Sequence, residues 1–574
     1  MDKMNQMVRE KGAGRRAKIV STLGPSSDTV EIIKELILAG LDVARINMSH
    51  GTYDKHRLVI KNIREASREL KKEVAILLDL QGPKIRVDKL SSPMELKNGE
   101  EYVIGPSSIQ NKYPQYKECY IPTVYENLVK DASEKATILF DDGLIEAQGM
   151  AKEGDLLKIK IINGGMLKSN KGINLPDSNV SAPSFTQKDK DDLLFGLAEE
   201  IDYIALSFVR TKNDILEVKK LLHSLKRDTP IVAKIERPEA IININEIIEV
   251  SDVIMIARGD MGVELGNHLV PSVQKKIISL CNDSGVPVIT ATQMLESMIS
   301  NPRPTRAEAS DVANAIWDGT DAVMLSAETA SGDHPVKSIE MMGKIIYEAE
   351  KIPKSRPYIR NISLKGLTDA LQISASLISE KLKARWIISF TETGKSSVRL
   401  SRFRPRVKIL GVTHSLKAAR RMVLYWGVTP YCVDIGKSNT SVDWEEKIIQ
   451  EFKEVEDFQN GDKIVITYGD GKVFDHAHAN SVRVELVKDR PKVLGGSDGI
   501  EVVETKKGDI KLDTLICASC QSCIQTCPHG IFESSPFPAN TTYINKEMAE
   551  FCMQDMKCVE SCPTGAIEIL VKNE

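Results

Sequence analysis

The chain has 574 residues, and its 42% hydrophobic content is that of a globular protein with a core, not of a disordered chain. At ~150 residues per domain the length predicts about three or four domains. A formal net charge of −3 removes any need for a polyanionic partner, because nucleic-acid binders usually show a basic face. No apolar run reaches the ~20 residues that span a bilayer. The opening MDKMNQMVREKGAGRRAK lacks the apolar core of a secretory signal. The expected location is cytoplasmic, with neither nucleic acid nor membrane as partner.

Short apolar runs recur between amphipathic stretches. They read AKIVSTLG from Ala17, LDVARINMSHG from Leu41, VAILLDLQG from Val74 and DYIALSFVR from Asp202. PIVAKIE from Pro230, DVIMIARGD from Asp252, VPVITATQM from Val286 and DAVMLSAET from Asp321 complete the set. Continuous apolar character, rather than alternation, is what a parallel strand buried on both faces requires. Helical patterns follow, such as DTVEIIKELILAG after the first run and TRAEASDVANAIWDG after the seventh. Eight such units predict an α/β chain built on a (β/α)8 barrel, residues 1–87 and 184–350. The interval 88–183 is too long for a loop, and its runs ATILFDDGLIEAQG and DLLKIKIING read as antiparallel β. It is expected to be a small inserted β domain acting as a lid over the barrel mouth. Residues 351–488 restart the alternation with WIISFT, KILGVT, GDKIVITYG and SVRVELV, a separate α/β domain. A polar linker, 489–509, leads to a cysteine-rich segment, 510–574.

In such a barrel the reacting groups sit where strands end. Those ends carry Arg45, Asn47 and Ser49; Asp79 and Arg86; Lys234 and Glu236; Arg258 and Asp260; Thr292; and Ser326 with Glu328. Carboxylates beside several cations suit a Mg²⁺-phosphate centre, since the metal takes oxygen ligands and phosphate oxygens take positive partners. Lys234 and Glu236, two apart, share one side of a strand. Alone, that pair reads more readily as a solvated strand end; its company at one mouth makes it a candidate site.

KIVSTLGPSS, ARINMSHG, LLDLQGPKIR, VAKIERPEA, IARGDMGVEL, TATQMLESM, NPRPTRAEASDVANAIWDGTDAVMLSAET and SGDHPVKSIE closely resemble the pyruvate kinase family. The likeness runs from about Ala17 to about Val487. It implies Mg²⁺-dependent phosphoryl transfer from phosphoenolpyruvate to ADP, in a homotetramer. By the same resemblance Glu236 and Asp260 would hold Mg²⁺, and Lys234 would stabilise the phosphoryl group in flight. Arg45 and Arg86 would clamp phosphate, with Asn47 and His50 near the nucleotide. Lys171, in SNKGINLP of the lid, would reach the nucleotide phosphates. Backbone N–H groups around Gly259 and Asp260 would receive the substrate carboxylate, and Thr292, aided by Ser326 and Glu328, would order proton delivery to the enolate.

One departure bears on cofactors. Members that require K⁺ have Glu where this chain has Lys84, and their K⁺ lies among groups equivalent to Asn47, Ser49 and Asp79. A lysine ammonium there would supply the same charge, so K⁺ is expected to be dispensable. The loop FTETGKSSVRLSRFRP resembles the family's effector-phosphate loop, written here as Thr391, Thr393, Gly394, Lys395, Ser396 and Ser397. It reads equally as a capped helix start. The effector would be a phosphorylated molecule; its identity is not legible. His476 and His478 read as surface residues.

Seven of the ten cysteines crowd between Cys517 and Cys562. The run Cys517, Cys520, Cys523, Cys527, Pro528 has the x2, x2, x3 spacing of bacterial ferredoxins. The run Cys552, Asp555, Cys558, Cys562, Pro563 repeats it, and CPHGIFE echoes CPTGAIEI. The segment resembles a two-cluster ferredoxin, an α+β iron–sulfur domain. By that likeness one cluster would take Cys517, Cys520, Cys523 and Cys562, and the other Cys527, Cys552 and Cys558. Asp555 stands where a fourth thiolate is expected, so the second site could hold [4Fe–4S] with a labile iron or [3Fe–4S]. Cys119, Cys281 and Cys432 are expected to be buried and inert. Two readings stay open: a working kinase with an iron–sulfur domain for redox regulation or for electron transfer with a partner protein, or an electron-transfer protein on a catalytically silent kinase body.

Overall fold

The computed structural model describes residues 14–178, 180–352, 366–433, 461–469, 479–487, 500–505, 508–513, 517, 522–534, 542–552, 556–562 and 566–571. The chain divides into two compact units, residues 1–446 with 463–485 and residues 447–462 with 486–574.

The first unit opens with β1 (Lys18–Thr22), β2 (Val43–Asn47) and β3 (Ala75–Asp79), buried along nearly all their length. The helix between β1 and β2, Val30–Ala39, starts where the Thr29 side chain accepts from the Ile32 N–H. It stops at Gly40, whose φ of 124° disfavours any side chain. After β3 come the lid strands β4 (Met94–Leu96), β5 (Glu101–Pro106), β6 (Tyr120–Thr123) and β7 (Thr137–Phe140). β8 (Ile145–Glu153), β9 (Leu156–Asn163), β10 (Gly165–Leu167) and β11 (Ile173–Asn174) follow. Six of these form one sheet in the order β11-β7-β8-β9-β5-β6, and β10 pairs with β4. The lid has its own core, in which Ile104, Ile121, Ile138, Phe140 and Ile159 are buried. The expectation of a purely antiparallel lid needs correction: β5 and β6 run parallel. Two short helical turns, Ser107–Lys112 and Pro114–Tyr116, carry the chain back to make that pairing possible.

The chain returns through β12 (Tyr203–Leu206), β13 (Ile231–Ile235), β14 (Val253–Ala257), β15 (Val288–Ala291) and β16 (Ala322–Leu325). With β1 to β3 these close a parallel barrel in the order β1-β16-β15-β14-β13-β12-β3-β2. All eight strands coincide with the apolar runs. Inside it, Val20, Val43, Ala75, Leu77, Tyr203, Val232, Met255 and Ile289 pack together. Val423 and Leu424, from far along the chain, are part of the same cluster, and Tyr425 packs against it. The Tyr203 hydroxyl, at the N-terminal end of β12, donates to the Arg421 carbonyl at 2.6 Å.

Val423 to Tyr425 belong to the second α/β domain. Its strands β17 (Trp386–Phe390), β18 (Lys408–Thr413), β19 (Val428–Cys432), β20 (Lys463–Tyr468) and β21 (Ser481–Leu486) form a sheet in the order β19-β18-β17-β20-β21. Cys281 is buried as expected, but Cys119 is only half-buried and Cys432, at the end of the edge strand β19, is exposed.

In the second unit β22 (Ile500–Glu504), β23 (Gly508–Asp513) and β26 (Ile567–Val571) form an antiparallel sheet. β24 (Phe532–Ser534) and β25 (Thr542–Ile544) pair beside short helices, Ser522–Thr526 and Lys557–Glu560. Among the described residues no helix is long and apolar enough to cross a membrane.

Candidate active site

The C-terminal ends of the barrel strands gather a chain of buried charges. Asp79, 1% exposed at the end of β3, receives Arg45 Nε at 2.6 Å on Oδ2 and lies 3.3 Å from Lys234 Nζ through Oδ1. The Lys234 ammonium also lies 3.0 Å from Glu236 Oε1 and donates to Ser207 Oγ at 2.7 Å. Arg45 reaches further to Thr22 Oγ1 at 2.8 Å. Burial alone would lower Lys234, but Asp79 and Glu236 outweigh it and hold the ammonium above the usual lysine range. Burial would likewise raise Asp79, yet Lys234 and Arg45 keep its carboxyl below the usual range. Glu236 is raised by burial, with the like charge of Asp260 adding to that and Lys234 opposing it. The mutual repulsion of buried Glu236 and half-buried Asp260 is what a divalent cation would relieve, so the two fit Mg²⁺ as a donor set.

Three residues here escaped the sequence reading. Ser207 accepts from Lys234 and donates to the Leu80 carbonyl at 2.7 Å. Phe208, at φ 55°, donates its backbone N–H to Glu236 Oε2 at 2.7 Å. Thr22 completes the hold on Arg45. A serine after an apolar strand and a backbone amide carry no sequence signal of their own. Gly82, at φ 68°, lets the loop after β3 approach them, because a Cβ there would lie 2.8 Å from the Phe208 ring.

At the neighbouring strand ends, Thr292 Oγ1 accepts from the Gly259 N–H at 2.7 Å. This amide, expected to face substrate, is thus engaged by the threonine. Thr292 and Gln293 both have positive φ, 68° and 53°, a strained pair for residues with side chains. Arg258 braces them by donating to the Thr292 and Gln293 carbonyls at 2.8 and 3.1 Å. Glu328, buried, accepts from Ser326 N–H at 2.6 Å and Leu295 N–H at 3.2 Å, tying the loops after β15 and β16 together. The Ser326 hydroxyl is buried without a partner.

Nearer the lid, Arg86 donates to the Asn170 carbonyl at 2.9 Å, and Lys171 pairs with Asp141 at 2.7 Å. Asn47 Oδ1 accepts from Ser49 N–H at 3.1 Å, while His50 is exposed. The expectation that the Lys84 ammonium sits among Asn47, Ser49 and Asp79 is corrected. It pairs with Asp142 of the lid at 3.5 Å, and Asp79 is taken by Arg45 and Lys234.

In the second α/β domain, Thr391 Oγ1 accepts from Gly394 N–H at 3.0 Å, and the helix Lys395–Arg402 opens there. Ser397 is buried, its hydroxyl without a partner, while Thr393 and Lys395 are exposed and Ser396 is half-buried. His476 and His478 lie outside the described residues.

In the tail, Cys527, Cys552 and Cys558 line one cavity together with Pro528, His529 and Phe532. Burial and the neighbouring sulfurs of Cys527 and Cys552 push the Cys558 thiol up to about 11. Cys517, Cys523 and Cys562 belong to the same apolar cluster. Cys520 and Asp555 lie outside the described residues. Among those described, no three His, Cys, Asp or Glu could hold a single metal ion.

Fold and mouth together define a (β/α)8 enzyme whose cations and carboxylates are organised for phosphoryl chemistry. A family model for the pyruvate kinase barrel domain matches residues 14–339, and one for the pyruvate kinase alpha/beta domain matches residues 369–485. The chain is 42% identical over 482 residues to pyruvate kinase of Staphylococcus saprophyticus, covering 83% of this chain and 81% of that protein. It is 40% identical over 519 residues to the Staphylococcus aureus MRSA252 pyruvate kinase, covering 88% and 87%. This chain belongs to the pyruvate kinase family, and it is a transferase acting on phosphoenolpyruvate and ADP. Neither family model extends past residue 485.

Proposed function

We propose that this pyruvate kinase uses Mg²⁺ at Glu236 and Asp260, works without K⁺, and carries two iron–sulfur clusters in its tail. The observation that carries the catalytic part is the unbroken chain Arg45–Asp79–Lys234–Glu236 at the barrel mouth. Mg²⁺ held there supplies positive charge to the phosphoryl and enolate oxygens. Lys234, fixed by Asp79, Glu236 and Ser207, offsets charge on the phosphoryl group in transit. Arg45 and Arg86 bind phosphate oxygens, with Lys171, Asn47 and His50 toward the nucleotide. Substrate carboxylate takes the amides of Gly259 and Asp260 by displacing the Thr292 hydroxyl. That hydroxyl, aided by Ser326 and Glu328, then orders proton delivery to the enolate.

The support for K⁺ independence is charge. Asp79 already has two fixed cations, Arg45 and Lys234, where a K⁺ would otherwise supply positive charge. Pyruvate formation in Na⁺- and K⁺-free buffer is expected to rise less than twofold on adding K⁺; a many-fold rise overturns the proposal.

The support for the clusters is the doubled ferredoxin spacing, with Cys527, Cys552 and Cys558 around one cavity. The described thiols fit a cluster's demand for sulfur ligands inside an apolar shell. Protein isolated without oxygen is expected to contain iron and acid-labile sulfide, with a paramagnetic signal on reduction. Metal-free protein, or zinc without sulfide, sinks this part and leaves the kinase standing. The effector loop is read as a site for a phosphorylated ligand, and the assembly as a homotetramer.

A further inference from the structure

The lid is tied to the barrel by a buried charged cluster that the catalytic reading does not use. Arg237 follows Glu236 directly, and its NH1 lies 3.0 Å from Glu264 Oε2. Its NH2 donates to the Ser178 carbonyl at 3.0 Å and pairs with Glu239 at 3.2 Å. Glu264 stands four residues after Asp260, one turn along the helix Arg258–Leu265. Its Oε1 accepts from Asn174 Nδ2 at 2.8 Å. Asn174 ends β11, the last strand of the lid sheet. The side chains of Arg237 and Glu264 are 7% and 1% exposed, so these charge-assisted bonds are shielded from water. Beyond the cluster, Arg210 grips the lid's return leg through the Ala182 carbonyl at 2.9 Å and Ser184 Oγ at 3.2 Å.

The roles of these contacts differ. Arg210 and Arg237 hold Ser178, Ala182 and Ser184 to the barrel, while the Asn174–Glu264 bond reaches the lid sheet itself. We infer that Glu264 is a positioning residue, acting through Asn174 to fix the angle of the lid over the helix that carries Gly259 and Asp260. Burial pushes the Glu264 carboxyl up and Arg237 opposes it, so the arginine is needed to keep a strong acceptor facing the lid. One network then joins the lid sheet to the neighbours of both proposed metal carboxylates, Glu236 through Arg237 and Asp260 through Glu264.

The test uses the full chain and steady-state kinetics. Asn174→Asp places a carboxylate against Glu264 and breaks the link; KM for ADP is expected to rise about tenfold, with kcat changed much less. Adding Glu264→Gln restores a bond with donor and acceptor exchanged, and KM for ADP should return to within about twofold of the parent. A role in stability alone would lower the melting temperature without that split or that rescue. If Asn174→Asp does not fold, Asn174→Ala removes the donor without adding charge and should show the same rise. An ADP KM unchanged in the single variant, or a double variant as impaired as the single, overturns the inference.

Discussion

At the scale of single residues, Lys234 has two jobs that are hard to separate. It is the cation shared by Asp79 and Glu236, both 1% exposed. Lys234→Gln should lower kcat by on the order of 10³ by removing charge from the phosphoryl path. It should also cost roughly 3–5 kcal/mol of stability, because two buried carboxylates lose their shared partner. Steady-state assays and denaturant melts of the same variant read both; a fall in stability with kcat unchanged would move Lys234 out of catalysis. Thr292 sets a different balance. A β-branched residue at φ 68° is strained, so Thr292→Gly should hold or raise stability while kcat falls at least about tenfold. Thr292→Ser, which keeps Oγ, should retain most activity. Residues of this kind were legible because charged and hydroxyl side chains at strand ends are visible in a sequence. Ser207 and Phe208 were not, since one acts through a hydroxyl among many and the other through its backbone N–H.

Elements were read with similar unevenness. Barrel strands buried on both faces announce themselves as unbroken apolar runs, and all eight coincide with the structure. β19 was missed because VTPYC is an edge strand, only partly buried and interrupted by Pro430. The parallel β5–β6 pair was missed because strand direction depends on the turns between, not on the strands. At this scale the helix Leu416–Met422 carries a prediction. Its Lys417 and Arg421 grip Asp228 of the barrel, Arg421 NH1 at 3.1 Å. Burial alone would raise Asp228, but the two cations hold its carboxyl well below the usual 3.8. A depressed carboxyl stabilises fully above its unfolded value and loses that contribution as pH falls through its folded one. The melting-temperature gap between the parent and Asp228→Asn should therefore be constant from about pH 5 to 8 and shrink below about pH 4. Asp228 is 70% exposed, so the gap should be small, under about 1 kcal/mol. A gap that widens on acidification contradicts the clamp.

For the whole molecule, a kinase that moves no net electrons carries a tail whose cysteine spacing is that of an electron carrier. Anaerobic pyruvate formation with the tail oxidised and then reduced separates the two uses. A several-fold change in rate or half-saturation makes the tail a redox switch, and equal activity makes it an independent electron-handling module.

The barrel itself is not a self-sufficient body. Its inner packing is completed at the N-terminal end by Val423 and Leu424, with Tyr203 bonded to the Arg421 carbonyl. A gene cut after Lys351 would encode every barrel strand and every proposed catalytic residue, yet the product would lack its floor. Water would enter under Tyr203, whose hydroxyl would lose its acceptor. A minimal catalyst carved from this chain must therefore keep, or rebuild, a short stretch of sequence, Arg421 to Tyr425, that begins seventy residues beyond Lys351.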